Sequence, residues 1–393
     1  GLIVNLFIGI ALGANVVIAN AIGRGDKATI RRAVHTSIVT ALVGGALVAV
    51  LGEVIAAGLL SLLNVPADVY PLAEQYLCIY LIGMPVILLY NFEAAIFRSI
   101  GDTRSPLIAL ALSGVLNVLL NLFFVIVLHM TVNGVAIATV LSNAVSSAIL
   151  FRKLLRSDTS IRVERRELRI DWAVLRRILQ IGLPAGIQSA VFAVSNIVIQ
   201  SAINSLGKIV MAASSAAFNL EIIAYDVLNA FSQACTTFVG QNYGAGQLKR
   251  CRKTLALCLI EDALASGTAI LLVLFSGKFL LSLFNNDPQV IDIGYTRLML
   301  IFTAYIFTML YEVMSGYLRG FGISLVPAIL TTVGVCGVRI AWIYTVFPTS
   351  RTFSTIMTAY PVSLSATAVL MLIALLIYHP SRRYDRQPVN NAS

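Results

Sequence analysis

Tyr305, Thr308, Glu312, Ser315 and Arg319 follow one another at intervals of three and four residues, the spacing that stacks side chains along one face of an α-helix. Asn219, Asp226, Asn229 and Gln233 recur at seven, three and four and share a face in the same way. Glu221 stands about 200° around the helix from Asn219 and points elsewhere. A third group, Asn117 and Asn121 with Thr139 and Asn143, falls in a run from 105 to 151 that holds no Asp, Glu, Lys or Arg. Rows of carboxylates, amide oxygens and hydroxyls suit cation binding and proton exchange. They lack the partners that bond-breaking chemistry requires. His35, His129 and His379 stand apart from any HExxH or Ser/His/Asp grouping, and the five cysteines have no metal spacing. Gly23-Arg24-Gly25 imitates a dinucleotide loop but follows no strand, and Ser276-Gly277-Lys278 lacks the upstream glycine of a phosphate loop. No catalytic residue, metal or cofactor is expected, and an enzyme is the least favoured class.

The elements that position these rows must be lipid-length helices. Of 393 residues, 58% are hydrophobic and 12% charged, and the mean hydropathy is +0.88. Ordinary soluble domains are about a quarter charged. Eleven apolar segments can be read, at 2–22, 37–62, 72–97, 105–128, 133–151, 177–204, 210–239, 254–283, 290–318, 324–347 and 355–379. If the connecting loops alternate sides, 23 of the 28 Lys and Arg residues fall on one side. That side is the cytoplasm, and the C-terminus lies on it. The net charge of +10 thus reflects orientation in a bilayer rather than a nucleic-acid surface. Arg297 counts with the loops of the opposite side, which leaves Arg339 as the buried base. It needs one of Glu221, Asp226 or Glu312 as its partner. Helix-to-helix hydrogen bonding is the competing use of buried Asn, Ser and Thr in lipid. Charges near span ends reach the interface along their own stems, and Glu53, Glu74, Glu261 and Asp262 are read that way.

The chain also repeats itself. Gly23-Arg24-Gly25 and Gly244-Ala245-Gly246 are 221 residues apart, as are Arg98-Ser-Ile-Gly101 and Arg319-Gly-Phe-Gly322, and Pro106 and Pro327. Both copies lie on the same side, so the halves are parallel repeats. The expected architecture is an all-α polytopic membrane protein of two parallel-repeat helical bundles around a central cleft, a six-plus-six plan with eleven spans present. Residues 1–151 form the first lobe, and 152–176 a basic cytoplasmic linker with a short interfacial helix at its end. Residues 177–379 form the second lobe, and 380–393 a basic tail. The helix paired with 177–204 would precede residue 1, and the chain is expected to lack it.

Gly23-Arg-Gly-Asp-Lys27, Phe97-Arg98-Ser-Ile-Gly101-Asp102-Thr103-Arg104-Ser-Pro106, Val239-Gly240-Gln241-Asn242-Tyr243-Gly244-Ala245-Gly246 and Glu312-Val-Met-Ser-Gly316-Tyr-Leu-Arg319-Gly320 resemble the multidrug and toxic compound extrusion (MATE) family over essentially the whole chain. The resemblance implies a monomeric antiporter of the cell membrane. It would export amphipathic, often cationic organic compounds against H⁺ or Na⁺ by alternating access. Asn117, Asn121 and Thr139 match positions lining the family's N-lobe cation site, with Asn121 where the family often has Asp. Glu221 matches an acid common in relatives, and Asp226 falls where they usually carry an apolar residue. The expected coupling residues are Glu221, Asp226 and Glu312, with Arg339 as modulator and Tyr305, Asn219, Asn229 and Gln233 lining the substrate cleft. A flippase for lipid-linked precursors or a porter of the major facilitator type are the alternatives.

Overall fold

The computed structural model describes residues 2–62 and 66–380; the basic tail expected over 380–393 lies outside them from 381 onward. The protein is an all-α polytopic membrane protein. Its helices are α1 (Leu2–Arg24), α2 (Lys27–Leu62), α3 (Tyr70–Ile82), α4 (Met84–Ser99), α5 (Arg104–Leu122), α6 (Val132–Leu155) and α7 (Trp172–Asn204). They continue as α8 (Lys208–Gly244), α9 (Leu248–Ser282), α10 (Pro288–Phe302), α11 (Tyr305–Gly320), α12 (Leu325–Thr331), α13 (Val338–Thr345) and α14 (Phe353–Tyr378). Among the described residues nine helices are long and apolar enough to cross a membrane, and eleven if each of two bent pairs is one span. The bent pairs are α3 with α4, at 49°, and α10 with α11, at 45°. Pro85, at the start of α4, explains the first bend, since it withdraws a backbone donor where the helix would otherwise run on.

The 221-residue interval recurs in the element boundaries. Met84–Ser99 and Tyr305–Gly320 are that far apart at both ends, and α2 and α9 start, like α6 and α14, at the same interval. The hairpins repeat as well. Helices α1, α4, α8 and α11 each run into a glycine of positive φ (Gly25 69°, Gly101 83°, Gly246 71°, Gly322 81°). In each, the next residue's N–H reaches back to a carbonyl five residues earlier: Asp26 to Ala21, Asp102 to Phe97, Gln247 to Asn242 and Ile323 to Leu318. That backbone needs the left-handed region, so glycine is the residue that turns all four hairpins.

The chain packs as two compact units, one from Ile3 to Leu183 and one from Pro184 onward. In the first, α4 packs against α2 and α6, and α5 against α6. The residues 152–171 carry a 3₁₀ turn at Arg165–Glu167, held by ion pairs from Arg31 to Glu164 and Glu167, both at 2.6 Å. Asp171 caps the next helix, accepting from the N–H groups of Ala173 (3.0 Å) and Val174 (3.1 Å). These bonds, that of Val174 foremost, hold its carboxyl below the usual aspartate range. The helix expected to lie at the interface is the start of α7, which runs without a break to Asn204.

In the second unit α8 is the hub, packed against α9, α10 and α11, and α11 also packs against α14. Helices α8 and α11 meet through a Gly316-x-x-x-Gly320 face, the small-residue spacing that lets backbones approach in lipid. A Cβ at Gly316 would sit 2.4 Å from the carbonyl oxygen of Ser232, and one at Gly320 2.6 Å from Val239. Close approach permits two interhelical bonds, from Ser232 Oγ to Glu312 O (2.7 Å) and from Thr236 Oγ1 to Gly316 O (3.1 Å). Gly316→Ala is therefore expected to cost about 1–3 kcal/mol through overpacking. A thermal melt of the detergent-solubilised variant checks this; an unchanged melting temperature would mean that the helices can separate freely.

Candidate functional site

The polar row on α11 faces the interior of its unit: Tyr305, Thr308, Glu312, Ser315 and Arg319 are all buried. Glu312 Oε1 accepts from the Tyr225 hydroxyl at 3.2 Å. No Lys, Arg or His among the described residues makes an ion pair with it. Thr308 Oγ1 and Ser315 Oγ, on the same face, have no hydrogen-bond partner among the described residues. Arg319, a full turn and more toward the helix end, donates from Nη2 to Gln188 Oε1 at 2.9 Å.

A second buried acid stands on α9, which packs against α11. Asp262 has 0% of its surface exposed. It takes a hydrogen bond from Ser266 Oγ on one oxygen and has no partner among the described residues on the other. The reading of Asp262 as a span-end charge is thereby corrected: it sits inside the bundle. Its signal in the sequence was Ser266 one turn on, which a charge reaching for water would not need. No spacing marks Tyr225, which stands one residue before Asp226 and off its row. Helices α8 and α11 thus bring together a carboxylate and a phenol beside two unpartnered hydroxyls, and α9, packed against both, carries a second buried carboxylate. All are oxygen donors, the set that suits a proton or a hard monovalent cation.

Glu221 belongs to a different group. Arg297 grips it with two bonds, Nε to Oε1 at 2.5 Å and Nη2 to Oε2 at 2.9 Å, while Nη1 donates to Ser214 Oγ at 2.5 Å. Both partners are buried. Arg297 is therefore no loop residue, and Arg339 is not the buried base that pairs with an acid. The bend between α10 and α11 gives α10 its own direction, and Arg297, nine residues past Pro288, enters the core of the unit. Among the described residues Arg339 makes no ion pair. Its Nε donates to Ser363 Oγ at 3.0 Å, and its guanidinium lies 4.0 Å from the Tyr360 ring centroid.

The α8 row divides by exposure. Asn219 and Asp226 are exposed and Asn229 and Gln233 half-buried, whereas Tyr305 is buried, so Tyr305 does not share their surface. Asp226 is corrected from a buried acid to a surface one. It stands about 200° around α8 from Ala224 and Leu228, which face the core. In the first unit Asn121 Nδ2 donates to Asn117 Oδ1 (3.0 Å), and Asn117 Nδ2 to Ser142 Oγ (3.2 Å). Ser142 Oγ donates to Thr139 O (2.9 Å), Asn143 Nδ2 donates to the same carbonyl (2.9 Å), and Thr139 Oγ1 donates to Val135 O. The two amide oxygens do not converge: that of Asn117 is taken by Asn121, and only that of Asn121 is open.

A family model described as MatE matches residues 1–123 and 184–345. The chain is 26% identical over 339 residues to "Probable multidrug resistance protein NorM" of Thermotoga maritima, covering 85% of this chain and 73% of that protein. It is 21% identical over 318 residues to "Multidrug export protein MepA" of Staphylococcus haemolyticus, covering 81% and 70%. An outward-facing multidrug resistance MATE family transporter of known structure superposes with a TM-score of 0.90 at 20% identity, over 97% of this chain and 86% of that one. The helical order, the glycine hairpins and a family match over well over half of the sequence agree, and the chain belongs to the MATE family of multidrug and toxic compound extrusion transporters.

Proposed function

We propose that this protein is a cation-coupled antiporter that exports amphipathic, often cationic organic compounds, with H⁺ or Na⁺ returning through the same carboxylates. It works as a monomer in the cell membrane with its C-terminus in the cytoplasm. The observation that carries this reading is Glu312: a carboxylate buried in lipid-spanning helices, bonded by one phenol and making no ion pair among the described residues. An acid left in that state draws a counter-ion. Two cationic ligands that need one carboxylate exclude each other, and that exclusion alone couples their movements. The matched multidrug exporters support the reading further. Dye efflux from everted vesicles tests it: an imposed gradient of either H⁺ or Na⁺ is expected to drive accumulation of a cationic dye. Accumulation that ignores both gradients would overturn it.

A further inference from the structure

Arg339 and Arg297 flank the same ring and are treated oppositely. Arg297 lies 5.9 Å from the Tyr360 centroid, and its guanidinium is consumed by Glu221 and Ser214. Arg339 lies 4.0 Å from that centroid and is tied only at Nε, by Ser363. Ser363 is fixed in turn, its hydroxyl donating to Tyr360 O at 3.0 Å. The two Nη groups of Arg339 have no partner among the described residues, yet neither is a sealed atom. The residue keeps 6% of its surface exposed. One face is covered by an aromatic ring, which holds a cation well, and one edge is anchored by a hydroxyl. What remains open is the edge of the guanidinium that makes parallel bonds to two oxygens.

A buried guanidinium without a counter-charge is costly in a membrane protein. No carboxylate among the described residues makes an ion pair with it, and the nearest buried candidate by sequence expectation, Glu221, is committed to Arg297. We infer that Arg339, aimed by Ser363 and Tyr360, binds the oxyanion, a carboxylate or a phosphate, of an amphipathic organic substrate. The inference rests on the exporter reading above and names the residue that takes the anionic group of the substrate. Because Glu312 and Arg339 are not paired with each other, one unit offers a site for each sign of charge.

Equilibrium binding of two dyes to the purified full protein tests this without any gradient, so its failure is distinct from a failure of coupled export. Rhodamine B carries a free carboxylate and its ethyl ester does not. The wild type is expected to bind rhodamine B roughly tenfold more tightly or better, the strength of a charge-assisted bidentate bond. In Arg339→Gln the difference between the dyes collapses; in Arg339→Lys, which keeps the charge but not the fork, part of it remains. Should Arg339→Gln fail to fold, Ser363→Ala releases the Nε anchor alone and is expected to narrow the difference. Equal binding of both dyes by the wild type, or an undiminished preference in Arg339→Gln, overturns the inference. The preference, measured in a non-ionic detergent that carries no phosphate, is also expected to survive addition of phosphatidylcholine to the micelles. Its loss on that addition would show that the fork serves lipid phosphate and overturn a substrate role.

Discussion

Glu221→Gln destabilises the folded protein by about 3–5 kcal/mol, because it leaves the Arg297 guanidinium buried without a counter-charge. The pair is bidentate and its third edge is taken by Ser214, so no spare acceptor stands ready to relieve it. The reciprocal Arg297→Gln strands the carboxylate and is expected to cost a similar amount. The double variant Glu221→Gln/Arg297→Met removes both charges, and an apolar replacement of a buried pair is often neutral or better. Its stability should therefore return most of the way to the wild type. A double-mutant cycle of melting temperatures measures the coupling. Additive losses would mean that the pair is not linked as its geometry states. A resemblance to relatives that carry an acid at the Glu221 position does not make that acid mobile here: it is a strut between α8 and α10.

Glu312→Gln has the opposite profile. The amide occupies the same space, its carbonyl oxygen can still accept from Tyr225, and no ion pair among the described residues is broken. The protein is expected to fold and melt as the wild type does, while gradient-driven efflux falls to the background of empty vesicles. Asp262→Asn, which removes the second buried acid that has no ion pair among the described residues, is expected to weaken efflux as well. Retained efflux in Glu312→Gln with a lowered melting temperature would reverse the roles of Glu221 and Glu312.

The contrast between those two acids shows where sequence reading succeeds. The α11 row was legible because three- and four-residue intervals have one meaning on a helix, and its five members are buried together. The separation of Glu221 from Asn219 was legible on the same ground. The 221-residue repeat was legible because glycines that turn hairpins cannot easily be replaced. Partners were harder. Arg339 meets Ser363 and Tyr360 on α14, and Glu221 meets Arg297 on α10, and no spacing rule connects residues of different helices. Reading 290–318 as one straight span placed Arg297 near a loop, whereas the 45° break between α10 and α11 sends it inward. Asp262 was discounted with Glu261 beside it. Adjacent residues on a helix face different ways, and the two have different surroundings: Asp262 is buried and Glu261 exposed.

The central claim is that substrate and coupling ion compete for Glu312. The most direct measurement is the affinity of a cationic dye for the purified full protein as H⁺ and Na⁺ are varied separately at constant ionic strength. Competition predicts that the apparent Kd rises in proportion to the concentration of one of these ions, and that Glu312→Gln removes the dependence. A wild-type affinity that is flat in both ions, or a dependence that persists undiminished in Glu312→Gln, would contradict the account.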